Sequence, residues 1–147
     1  MSLIRKGIAA GAVAGVVSGA PSTLHALVTG GDPLAASEAA GAMLLPHETN
    51  RTRLLLAAVP VHTALSLGWG IVLAKLLPRK ATIRWGAAAG VAIAVLDLGV
   101  FGGRFPRIRQ LPVAPQVLDH IAYGAAVGAV LRGLATDRGW PGRHRRR

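Results

Sequence analysis

The stretch PQVLDHIAYGAAVGAVL, residues 115–131, decides how this chain is read. At about 1.5 Å of rise per residue, a helix of this length crosses most of the ~30 Å hydrocarbon layer of a bilayer. Its second half is only Ala, Val, Leu and Gly, while its first half carries Asp119, His120 and Tyr123. Polar groups in hydrocarbon are costly, and those that persist face a bundle interior or a partner. Gln116, His120, Gly124 and Gly128 recur at four-residue spacing, so they share one helical face, with Tyr123 beside it.

Three further stretches read the same way: residues 7–29, 54–74 and 85–103. In the first, Gly7, Gly11, Gly15 and Gly19 form a small-residue face that continues into Ser18, Ser22, His25 and Thr29. In the second, His62, Ser66 and Trp69 form a stripe. In the third, Asp97 follows Gly90 by seven residues, and Gly86 and Gly90 repeat the four-residue spacing. Glycine lets two backbones approach closely and gain dispersion contacts, the main attraction left between helices in lipid. The prediction is an all-α, integral membrane four-helix bundle over residues 1–135, with a basic tail over 136–147.

Composition supports a membrane class. Mean hydropathy is +0.46 and only 16% of residues are charged, against about 25% in a typical soluble domain. Net charge is +11, but the basic residues flank apolar runs. They therefore read as topology signals and give no support to nucleic-acid binding. There is no cysteine, which excludes disulfides, thiol catalysis and cysteine-ligated metal. With a cytoplasmic N-terminus, 12 Lys and Arg lie inside and 5 outside, so both termini are placed in the cytoplasm. Trp85 and Trp140 then suit the inner interface. A competing reading of the first span is a signal peptide, with Arg5 and Lys6 before the apolar run and Ser18-Gly19-Ala20 as cleavage site.

Between the first two spans, Asp32-Pro33 reads as N-cap and first helical position, opening a short interfacial helix over residues 34–45 that stops at Pro46. In the outer loop, Arg104, Arg107 and Arg109 are candidates for contact with an anion or lipid phosphate. Arg143 to Arg147 form a tail suited to anionic lipid.

His25, His62, Asp97, Asp119, His120 and Tyr123 all fall near the same end of their spans, about 6–12 Å from the outer limit. Pro21 and Pro60 lie close to this level, where each removes a helix hydrogen bond and introduces a kink. Three readings of the cluster compete. The leading one is structural: Asp–His and Asp–Tyr contacts bridge helices and fix their register. The second is a proton-linked transporter subunit working as an oligomer. The third is a divalent metal held by His25, His62, His120 and Asp97, extending to an intramembrane metalloenzyme. Ser18, Ser22 and Ser66 are weak nucleophile candidates, because helical serines bond their own i−4 carbonyl.

The run Asp119-His120-Ile121-Ala122-Tyr123-Gly124, together with the glycines of the first span, resembles uncharacterised small bacterial four-helix inner-membrane proteins with a His-x-x-Tyr-Gly run in the last helix. That resemblance implies a multi-pass protein of the bacterial cytoplasmic membrane and brings no activity or catalytic residue with it. The sequence therefore predicts an accessory or interaction protein of that membrane. Its expected partners are the bilayer, a second copy or another membrane protein.

Overall fold

A computed structural model describes residues 1–80 and 82–136, and all the regular structure among these is helical, with no strand. Four helical stretches are long and apolar enough to cross a membrane: Leu3–Thr29, Arg51–Leu76, Thr82–Arg104 and Val113–Ala135. Each extends a few residues beyond at least one predicted limit. The expected tail, with Trp140 and Arg143–Arg147, lies outside the described residues.

The first stretch is two helices. Helix α1, Leu3–Val17, starts where the Ser2 hydroxyl accepts the Arg5 N–H at 3.3 Å. It stops at Ser18, and α2, Ala20–Thr29, begins after Gly19. Pro21 explains the break, since its ring removes an N–H and collides with the preceding turn. Helix α2 ends on Gly30, whose φ of 70° is a left-handed conformation that suits glycine.

The predicted interfacial helix is shorter than expected. Helix α3 covers only Ala35–Gly41. Asp32 does not cap it directly; its carboxylate accepts the Leu34 N–H at 2.9 Å and closes a turn before the helix. Beyond Gly41 the chain continues in three-residue turns toward Pro46, where an α conformation is disfavoured before proline. Gly41 sits directly on the Leu54 backbone, which locks α3 against the next helix.

Helix α4, Arg51–Leu76, is capped by the Asn50 side chain, which accepts the Arg53 N–H at 3.1 Å. Pro60 lies inside it without ending it. Helix α5, Thr82–Ala94, widens into a π-helical segment, Val95–Phe101, and tightens through a 3-10 turn, Gly102–Arg104. The Gly102 N–H reaches back to the Asp97 carbonyl, five residues earlier. A four-residue turn of helix, α6 (Pro106–Arg109), leads to α7, Val113–Thr136.

Packing follows two glycine-lined crossings. At the first, α1 lies on α4, and a Cβ on Gly7 would come within 2.6 Å of the Ile71 Cα. Gly11 and Gly15 face Ser66 in the same contact. At the second, α5 lies on α7: Gly86 faces Gly124, Gly90 faces the His120 carbonyl, and Gly128 faces Thr82. Helix α1 also packs on α7. The helices thus form a row, α4–α1–α7–α5, with α4 and α5 on its flanks. Ala10, Ala14, Leu73, Ile93, Tyr123 and Val127 make up its buried core. Elsewhere the helices show large apolar side chains outward, including Val16, Leu24, Val28, Leu56 and Val95.

Candidate functional site

The polar residues of the four long helical stretches lie toward the end of the row that carries residues 30–50 and 105–112, here the loop end. Each of the main ones joins two helices, and its partner is mostly backbone. Because Gly19 has no side chain to cap α2, the N-terminal N–H groups of that helix need another acceptor. Asp119 supplies it from α7: its Oδ1 accepts the Ser22 N–H at 2.9 Å. The local Asp119–Tyr123 contact allowed by their four-residue spacing gives way to these longer reaches.

A second tie forms where α1 ends. The last carbonyls of a helix lack a partner within it. His62 of α4 lies with Nε2 2.8 Å from the Gly15 carbonyl. A carbonyl only accepts, so this nitrogen carries the proton. The third tie is Tyr123 of α7, which is 7% exposed and donates its hydroxyl to the Ser66 carbonyl of α4. It connects the two sides of the row through its centre. A tyrosine hydroxyl with no acceptor there would be a buried donor in an apolar core.

The fourth tie connects two ionisable side chains. His120 of α7 places Nε2 3.4 Å from Asp97 Oδ2 on the π-helical segment, and each side chain is 20% exposed. Its Nδ1 is 2.7 Å from the Gln116 carbonyl, one turn earlier. By the same donor logic, Nδ1 carries a hydrogen, which leaves Nε2 to face the carboxyl.

His25 stands apart from these ties. It is exposed and lines a cavity of about 140 Å³ at the loop end, with Ser22, Thr29, Asp32 and Gln116 also in the wall. The candidates of the metal reading are not brought together. Among the described residues, no three His, Cys, Asp or Glu side chains stand close enough to hold one ion. The order of the helices in the row is the reason. His62 is on the α4 flank and Asp97 on the α5 flank, and one nitrogen each of His62 and His120 is already committed to a carbonyl.

The three arginines of the loop between α5 and α7 are also not equivalent. Arg107 turns inward and donates to the Glu48 carbonyl at 2.8 Å, joining the two loops, while Arg104 and Arg109 remain exposed. Sequence reasoning passed over the acidic partners here. Arg51 bridges Asp32 at 2.8 Å and Glu38 at 2.9 Å, and Arg53 reaches Glu48 at 3.3 Å. The signal was available in the charge order Asp32, Glu38, Glu48, Arg51, Arg53 on either side of a helix start.

Two of these carboxyls are held below their usual range. For Asp32 the Leu34 N–H is the main cause, with Arg51 adding to it. For Glu48 the causes are the Asn50 N–H, then Arg53 and the Thr49 N–H. A carboxyl depressed by folding lends stability that is complete above the ordinary carboxylate range and is lost as pH falls through and below it. Amide protection over residues 32–50, corrected for intrinsic exchange, is therefore expected to fall between pH ~6 and ~3. In Glu48→Gln the drop at Thr49 and Asn50 should largely disappear. Equal loss in the variant and the wild type would contradict the assignment.

Comparison with protein-family models, with curated proteins and with solved structures finds no match for this chain.

Proposed function

We propose that the chain is a multi-pass protein of the bacterial cytoplasmic membrane, with both termini cytoplasmic. In this reading it acts as an accessory or interaction subunit, and the polar groups of its spans set how the helices pack. The observation that carries the reading is how those groups are used. Asp119, His62, Tyr123 and the Asp97–His120 pair are each engaged between helices. The outward apolar surface supports insertion, because only 22–29% of each span's most apolar window is buried within the chain. A soluble monomer rarely leaves contiguous apolar patches of more than a few hundred Å² in water.

Orientation is tested by thiol labelling, since the chain has no cysteine. His47→Cys should label from the periplasmic side of intact cells and Arg143→Cys only after the membrane is opened. The reverse pattern would overturn the topology. The packing role is tested by Tyr123→Phe, which removes one hydroxyl and leaves the ring. Interhelical hydrogen bonds in membranes average about 0.6 kcal/mol, so thermal unfolding in detergent should show a small but measurable loss of that order.

The Asp97–His120 contact favours a second reading, a proton-linked transporter subunit. Proteoliposome flux separates the two. A transporter loses proton flux in Asp97→Ala while staying folded, whereas an accessory bundle shows no flux above empty vesicles and loses stability in the same variant.

A further inference from the structure

We propose that Asp97 and His120 form a proton-operated clasp, which holds the π-helical segment on α7 when a proton lies between them and releases it when that proton leaves. The proposal rests on the reading that these residues tie the end of α5 to α7, and adds what controls the tie. Nδ1 of His120 is committed as a donor, because its 2.7 Å partner is the Gln116 carbonyl. A neutral imidazole in that tautomer presents a lone pair at Nε2. Opposite it, 3.4 Å away, is a carboxyl oxygen. Two lone pairs repel, so the contact is attractive only with one further proton, as imidazolium and carboxylate or as imidazole and carboxylic acid.

The charge around the pair is acidic. The charged groups bearing on His120 are Asp97 from the π-helical segment and Asp119, the preceding residue of α7. From α5, Gly90 meets the His120 backbone and brings no charge. On α2, His25 shares a cavity wall with Gln116, one turn before His120. Both members of the pair are 20% exposed and sit near the loop end. On opening, a hydroxide or buffer base takes the proton, the Nε2–H···Oδ2 unit becomes a neutral imidazole facing a carboxylate, and the two separate.

The segment they hold is suited to move. A π-helical turn carries one residue more than the α-helix around it and occurs frequently at functional sites. Here it spans Val95–Phe101 and is closed by the Gly102 N–H on the Asp97 carbonyl, with exposed Gly99 and Gly103 at its edge. Releasing the Asp97 side chain removes its tie to α7 and lets the turn shift register.

The test is an NMR titration of the full chain in detergent micelles, from pH 5 to 9, following the His120 ring nitrogens and the backbone amides of residues 95–104. The expected result is that the ring moves from imidazolium to the neutral Nδ1–H form, and the amides shift with the same midpoint. In Asp97→Asn the side-chain amide can donate to the Nε2 lone pair and keep the clasp closed, so the same amides should no longer follow pH. Three results would each overturn the proposal: a wild-type ring that never changes protonation, amides that stay still while it does, or an unchanged amide shift in Asp97→Asn. The wild-type titration stands alone if the variant does not fold. Energetic coupling between the two residues at one pH tests the tie by itself, so the clasp can fail while the tie survives.

Discussion

Gly124→Leu is expected to separate α5 from α7 and to produce the largest loss of stability of any single substitution considered. A Cβ at this position meets the Gly86 carbonyl, and it would lie 3.0 Å from the Gly90 nitrogen. These are backbone atoms, which cannot turn aside as a side chain can. Overpacking in a close-packed core typically costs 1–3 kcal/mol, and a leucine pressed against backbone belongs at or beyond the upper end, about 3 kcal/mol. Gly68→Leu is the matched control, because nothing lies within 4 Å of a Cβ there. Surface substitutions of that kind stay within about 0.5 kcal/mol. Thermal unfolding in one detergent should place Gly124→Leu on the order of 10 °C below the wild type and Gly68→Leu beside it. Similar losses in both would mean that the crossing of α5 and α7 is not as close as described.

Asp119→Ala is the second large effect, and it should be felt mainly in a different helix from its own. Helix α2 follows Gly19, contains Pro21 in its first turn and has no cap of its own. Asp119 fills that role from α7 through the Ser22 N–H. Losing a helix cap costs about 1 kcal/mol, and hydrogen bonds to a charged group contribute about 1.5–3 kcal/mol, so the expected loss is about 2 kcal/mol. Asp119→Asn keeps an oxygen acceptor and should lose less than half as much. The signature is where the damage appears. Amide exchange should rise first over residues 20–25 of α2, with α7 still protected. Fraying confined to α7 would contradict the assignment.

Much of the fold was legible in the sequence because long apolar runs separated by charged or proline-containing links leave few alternatives. The four long apolar helical stretches begin and end within a few residues of the limits read from the sequence. The proline at position 21 signalled a local disturbance, but its form was not legible. A kink and a complete break differ by whether the residues before the proline let the chain turn. Small residues are common enough in membrane helices to obscure that; here Ser18 and Gly19 both leave the helix. The π-helical segment had no signal at all, since Val95–Phe101 contains no proline and its apolar pattern fits an α-helix equally well.

The polar groups were legible as a set and not as partners. Their positions at one end of the spans followed from counting residues. Four of their acceptors or donors, however, are main-chain groups, those of Gly15, Ser22, Ser66 and Gln116. Every residue has such groups, so side-chain identity cannot reveal which one is used. The order of the helices was equally hidden. Consecutive spans need not be neighbours, and α4 and α5 lie on opposite flanks although only five residues join them. That arrangement sets His62 and Asp97 apart and turns an expected common cluster into separate ties.

The most direct measurement is a double-mutant cycle on Asp97 and His120, using Asp97→Ala, His120→Ala and the double variant in thermodynamic unfolding at pH ~6, below the ordinary imidazole range. If polar contacts set how these helices pack, the two substitutions are coupled by about 0.6–1.7 kcal/mol, the range for such contacts in membrane bundles. Losses that add to within ~0.3 kcal/mol would mean the two side chains are not joined, and the account of the bundle would be contradicted.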